Sequence, residues 1–437
     1  MTCSGSFGRR ARRVFLFVLA GVVMSASGLQ VVSADEPGSK TSWPQFLGPS
    51  RNGVSSETGL ISKWPAGGLK EVWRVPGGIG MSGVVVQNGR AVTMVQREGR
   101  QWLVVLDSRT GEEKAAVDLA PAFENAMGPG PRSTPSLHAD LAFAYSGEGI
   151  LFAVDLPAAK ILWQHKVIAD LGGQSPDYGV ACSPLVHGET VIVVPGAPDG
   201  AVAAFETRTG KPAWTAQAKG QADTAGYSSP ALLQIDGQTQ LVAFCGTAAL
   251  GIEPAKGRVL WRYPYVTDFD CNIATPVAVG GKVFLSAGEN HGSVLLNVTH
   301  KQADYIVSSQ WESHGPSSVM RNEWQTSILH DGFLYGFDNV GGAGPVSHLS
   351  CIDAATGKRK WQQLRFGKGN ATLADGKLFM TTLKGELVVV RANPEKFEEL
   401  GRMPVLESTR QAPAIADGRL YVRDNKEIVC LDAHEPG

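Results

Sequence analysis

The sequence predicts an all-β chain closed into an eight-bladed β-propeller, with four antiparallel strands per blade. Three observations predict it. A nine-residue motif recurs along the chain, a Ser/Thr-Pro landmark precedes the copies at a steady interval, and a loose strand near the N-terminus matches one missing at the C-terminus.

The motif reads ETRTGKPAW at 206–214, with variants DSRTGEEKA (107–115), DLPAAKILW (155–163), EPAKGRVLW (253–261) and DAATGKRKW (353–361). Three of these five copies carry Thr-Gly and four end in Trp. The acidic residue or its neighbour ends a third strand, and Thr-Gly turns the chain, since glycine takes positive φ without steric cost. The Trp then stands on a fourth, outer strand. An isolated four-stranded sheet cannot bury both faces, so blades must stack, and the indole is an apolar wedge for that contact with an N–H that needs a partner.

The landmark appears as Thr134-Pro135, Ser183-Pro184, Ser229-Pro230, Thr275-Pro276 and Ala412-Pro413, with degenerate forms at Ser82-Gly83, Thr326-Ser327 and Ala371-Thr372. Successive spacings are 52, 49, 46, 46, 51, 45 and 41 residues, which gives eight units of about 47 residues. Within a unit, turn signals separate short β-rich runs, as in PAIADGRLYVRDNKEIVCLD (413–432). The last unit stops near Asp432 without a fourth strand, and LKEVWRVP (69–76) with Trp73 is the spare. Closing the ring with it removes an exposed edge.

Composition agrees with a globular β protein: 43% hydrophobic, 19% charged, 52 glycines, net charge −1. Residues 1–34 read as an export signal, with basic Arg9–Arg13, an apolar run from Val14 to Val23 and small residues before Asp35. Arg12-Arg13 also fits a twin-arginine signal, so the Sec and twin-arginine routes both stay open. The signal carries four arginines and no acid, so its removal takes the charge from −1 to −5. That balance argues against nucleic acid and anionic membrane surfaces as partners. No transmembrane segment is expected in the mature chain. Residues 35–67 are expected to form an extended leader packed on the ring through Trp43, Phe46 and Trp64, and 68–437 the propeller.

Cys182, Cys245, Cys271, Cys351 and Cys430 are odd in number, without a CxxC, and read as buried small hydrophobes. His138, His187 and His330 fall in the first turns of their units, whereas His291, His300, His314 and His348 gather in the irregular fifth and sixth. Those units depart from the repeat at NVTHKQADY and DNVGGAGPVSH, where a function could be grafted. No nucleophile elbow, phosphate loop or complete dinucleotide fingerprint is present.

The motif with its Trp resembles the repeat of pyrroloquinoline-quinone-type propellers, over roughly residues 68–432. That group holds quinoprotein alcohol dehydrogenases and non-enzymatic relatives such as the propeller lipoprotein of the outer-membrane β-barrel assembly machine. WPQFLGPSRNG, GPRSTP (130–135), AGYSSP (225–230), NIATPV (272–277) and LHDGFLYGFDN (329–339) resemble an exported bacterial branch of it. The resemblance implies an enzyme only if the quinone's usual fittings are present: adjacent cysteines, a catalytic Asp and a calcium site. No Cys-Cys dipeptide occurs. Calcium takes about 6–8 oxygens, and the nearest acidic stretch, Asp268-Phe269-Asp270-Cys271-Asn272, reads better as a solvated connection.

Residues just before each landmark converge on one mouth of the axial funnel: Arg132, Tyr178, Tyr227, Asn272, Trp324, Lys368 and Arg410. Cations, amides and aromatics there suit a planar anion, a sugar or a peptide. The expectation is a periplasmic or cell-envelope binding or scaffold protein without catalysis, metal or bound cofactor, whose partner is an envelope protein or peptide. The alternative is a PQQ-dependent oxidoreductase, with calcium, acting on alcohols or sugars.

Overall fold

The computed structural model describes residues 42–302, 304–341 and 346–435. The expected signal at 1–34 lies outside the described residues, as does part of the glycine-rich insertion in the sixth unit.

Eight four-stranded antiparallel sheets form the ring. The first blade comprises Val85–Gln87, Arg90–Arg97, Arg100–Asp107 and Glu113–Pro121. Its hairpins turn on Asn88-Gly89 and Glu98-Gly99, all four at positive φ, the turn whose twist matches that of the flanking strands. The first three strands of each blade are sandwiched between neighbours and largely apolar. Leu141–Tyr145, for example, is buried throughout. The fourth strand faces solvent on one side, and Lys160–His165 alternates between exposed and half-buried residues.

In all eight sheets the pairing of third and fourth strands skips a residue at the same place, just before the position where Trp163 pairs with Ala153. Such a bulge bends the outer strand and re-aims the next side chain. The indole is thereby delivered to the following blade. Trp163 donates its N–H to Thr207 O at 2.9 Å and lies on Gly210, whose absent Cβ would stand 2.7 Å from the ring. Trp311 repeats this on Ala354 O and Gly357, and Trp73 on Ser108 O and Gly111. Trp214 sits likewise over Gly257, although no acceptor reaches its N–H.

The spare strand closes the ring. Lys70–Pro76 pairs antiparallel with Glu427–Asp432 and completes the eighth blade. Across this seam Arg423, with no exposed surface, donates to Met94 O at 2.6 Å and also to Ser82 O and Gly78 O. A buried guanidinium is tolerated because carbonyls of blade one saturate it.

Residues 42–67 cross the end of the ring where the innermost strands run into their first hairpins. Trp43 pairs with Val86 of blade one, Pro44 O accepts from Leu137 N of blade two, and the Arg51 guanidinium donates to Ser183 O and Pro184 O of blade three. Farther on, Ser55 N and Leu373 O meet in blade seven, and Ile61 N and Ala433 O in blade eight. Trp43 is buried, while Phe46 and Trp64 are half-buried. No described helix is long and apolar enough to cross a membrane.

Candidate functional site

The landmark hydroxyls tie neighbouring inner strands together at four junctions. Gly83 N donates to Thr134 Oγ1, Thr134 N to Ser183 Oγ, Ser183 N to Ser229 Oγ, and Thr275 N to Thr326 Oγ1, each reaching the next blade. This linkage is why Ser or Thr stands before the proline. It holds the residues just upstream in fixed positions around the axis.

There the chain forms a half-open cavity of about 180 Å³. Its floor is the leader, through Trp43, Phe46 and Leu47. Its walls include Arg132, Tyr178, Tyr227, Trp324 and Arg410, together with Met81 and Met127. Five of the seven residues read from the sequence thus meet on one cavity. Asn272 does not: it is fully buried, and its amide donates to the carbonyls of Cys245, Gly246 and Tyr265. Lys368 stands behind Trp324, its ammonium 4.3 Å from the indole centroid and paired with Glu323.

The two cavity arginines are held without a carboxylate. Arg132 donates to Gly130 O at 2.7 Å and Gly128 O at 2.6 Å, and its guanidinium lies 4.7 Å from the Phe123 ring. Gly128 and Gly130, both at positive φ, turn those carbonyls toward it. Arg410 stacks 4.5 Å from Trp324 and donates weakly to Met127 O at 3.4 Å and to Met81 Sδ at 3.8 Å. Burial, and then the charge of Arg410, lowers the Arg132 pKa to about 10, and burial lowers that of Arg410. Both stay charged at neutral pH. No ion pair joins either one to a described residue, and no Asp or Glu lines the cavity.

Tyr178 and Tyr227 pack with ring centroids 5.7 Å apart, and the Tyr227 hydroxyl accepts the Tyr178 N–H. Burial raises both phenol pKa values, so both are donors at neutral pH. The cavity is therefore a half-open cationic and donor-rich space on an apolar floor.

Among the described residues no cluster of His, Cys, Asp or Glu could hold a metal ion. Every described cysteine is a free thiol, and four of the five are buried. The histidines of blades five and six serve local contacts: His291 Nε2 accepts Asp268 N, His314 Nδ1 meets His291 O, and His348 Nδ1 accepts Arg365 N. The Asp268–Asp270 stretch is a short turn with Phe269 exposed. The donor set thus does not fit calcium, and no carboxylate in the cavity is placed to take a proton.

Sequence reading laid the leader over the ring with Trp43 and Phe46 as anchors, but did not connect those residues to the cavity. The repeat fixes what surrounds the axis, but nothing in it says where a non-repeating segment crosses.

Compared with known proteins, the chain matches the sequence family described as outer membrane protein assembly factor BamB over residues 99–363 and again over 345–435. No curated protein matches. Among solved structures it is similar to a europium-containing methanol dehydrogenase, with TM-score 0.64, 14% identity, and 89% of each chain covered. It is also similar to the quinohemoprotein alcohol dehydrogenase of Comamonas testosteroni, with TM-score 0.63, 14% identity, and 91% of this chain and 81% of that one covered. BamB from Moraxella catarrhalis matches with TM-score 0.56 and 12% identity, over 83% of this chain and 99% of that one.

Proposed function

The chain belongs to the family described as outer membrane protein assembly factor BamB, and from that premise we propose an exported, non-catalytic binding or scaffold propeller of the cell envelope. Its axial cavity takes an anionic group presented by a protein partner. One observation carries this reading: Arg132 and Arg410 share a half-open cavity whose lining contains no acid. Carbonyls and π faces make their direct contacts, and the carboxylates of Glu148 and Glu323 act on them only from a distance, without an ion pair. An arriving carboxylate would complete charge-assisted bonds in a place where water is scarce, the setting in which such bonds contribute most.

The test is capture from an envelope extract by the wild-type protein and by Arg132→Glu and Arg410→Glu. The expected result is a partner retained by the wild type and lost by both variants. A partner retained by both would remove the cavity from the binding surface.

The oxidoreductase reading draws on the same fold and on a planar indole beside two cations, which suits a planar anion. Incubation with PQQ and calcium, followed by dye reduction with alcohols or glucose, separates the two. Dye reduction would overturn the scaffold reading.

A further inference from the structure

Trp324 has two environments. One lies in the axial cavity; the other is a surface groove of about 720 Å³ between blades six and seven. The groove floor is apolar. Phe366 and Phe397 meet edge to face with centroids 6.1 Å apart, and Leu383 continues the surface. Beside it Leu364 is 63% exposed, a large aliphatic side chain held in water.

The charges around this floor divide into two sets. Arg402 is engaged by Glu399 at 2.8 Å and by Glu386 at 3.3 Å, and Lys368 by Glu323. Arg365 and Lys384, one on each flanking blade, are exposed and have no ion pair among the described residues. The whole chain carries a net charge of −1, so this local positive surplus runs against the average. An apolar floor bordered by free cations, leading past an indole to another free cation, is complementary to one kind of occupant.

We propose that the groove between blades six and seven binds an extended acidic peptide segment of a partner protein. An aromatic or aliphatic side chain of the segment seats on Phe366, Phe397 and Leu383 beside Leu364. Flanking carboxylates meet Arg365 and Lys384, and the segment continues over Trp324 toward Arg410. The inference deepens the binding reading above by naming the partner's chemistry and its path. Apolar contact supplies residence time, while the free cations set encounter rate and salt sensitivity.

The test uses the mature full-length chain and a fluorescein-labelled Glu-Leu-Glu-Phe-Glu peptide, followed by fluorescence anisotropy. Lys384→Glu and Arg365→Glu should each weaken binding roughly tenfold, and added salt should weaken the wild type. Leu364→Asp should weaken it by a similar factor. Unchanged melting curves would show that all three fold. If Arg410→Glu abolishes binding while the groove variants leave it intact, the groove is overturned and the cavity reading stands. If the groove variants weaken binding while Arg410→Glu does not, the groove stands and the cavity reading falls. Equal or tighter binding of the lysine-for-glutamate peptide, or of a single-stranded DNA oligonucleotide, would overturn the assignment of an acidic peptide. So would the absence of any binding.

Discussion

Trp163 and Trp261 occupy the same repeat position two blades apart, yet they do different things. Trp163 crosses to blade three, donates to Thr207 O and lies on Gly210. Trp261 turns back onto its own sheet, where it is buried, donates to Gln240 Oε1 at 2.6 Å and covers Gly251. The cause lies in the next blade. Blade five has no Thr-Gly turn; its third and fourth strands continue as a long hairpin, Gly292–Lys301 with Asp304–His314. Blade five thus offers no glycine at the receiving turn, and its neighbour's ring lies instead in the space left by Gly251 in its own sheet. At this junction the inner strands are joined differently too: Thr275 Oγ1 has no partner, and Ser228 Oγ donates to Ala274 O instead.

The same rule explains two other gaps. Blade one ends its motif in Ala115 rather than Trp, and the facing turn of blade two has Ala159 where blades one, three, four and six have Gly. Blade seven has Gly401 at the Trp position, paired with Val389, and Trp64 from the leader fills that space, 2.1 Å from where a Cβ would stand. Indole and glycine thus meet across four interfaces, whereas Trp361 crosses to Asn393 O of blade seven with no glycine in the receiving turn, so the glycine favours the crossing without being required for it.

The sharpest way to break this comparison is Gly251→Val. Its Cβ would stand 2.0 Å from the Trp261 ring, and overpacking so deep in the sheet should cost about 3–5 kcal/mol in urea unfolding. Gly210→Ala adds a positive φ of 69° to a 2.7 Å approach to Trp163 and should cost about 2–4 kcal/mol. Gly237→Ala is the control, with φ of 74° and open space around it; backbone strain alone should cost about 1 kcal/mol. Equal losses at 210 and 237 would show that the indole contact contributes nothing.

A double-mutant cycle tests the borrowed indole. Trp64→Ala alone should cost about 2 kcal/mol, because its ring fills the blade-seven gap. Gly401→Trp alone should be destabilising, with two rings competing for one space. Together they should recover most of the loss, a coupling of about 1–3 kcal/mol by thermal or urea unfolding. Strict additivity would mean that the leader and strand positions are unrelated.

The architecture was legible because its determinants are local and repeated. Thr-Gly marks a turn, Ser/Thr-Pro marks the start of an inner strand, and Trp73 marks the strand that closes the ring. Five cavity residues followed from the same regularity, since a fixed offset from an inner strand is a fixed place around the axis. Asn272 shares that offset but not that place, because its amide satisfies three carbonyls in a tight connection and turns inward. Lys368 is drawn aside by Glu323, 45 residues earlier, a pairing that no local pattern announces. The leader's path was hidden for a related reason. Arg51 is fixed by carbonyls of blade three, more than 130 residues away, and a single non-repeating contact leaves no period to read.

The smallest expected effect tests the rule most directly, by rebuilding the pair at the junction that lost it. Ala159 holds φ of 50°, which an alanine adopts only under strain. Ala159→Gly should therefore raise stability by about 0.5–1 kcal/mol on its own, even though glycine loosens the unfolded chain. Ala115→Trp alone places an indole against the Ala159 methyl and should gain nothing. In the double variant the ring can lie over the new glycine as Trp163 lies over Gly210, with the carbonyl of Leu156 in the place of Thr207 O. The double variant should then exceed the sum of the singles by about 1 kcal/mol in urea unfolding. If the two changes merely add, blades one and two are held by aliphatic packing such as Val154 against Leu103, and the pairing of indole with glycine is a habit of the repeat instead of its organising contact.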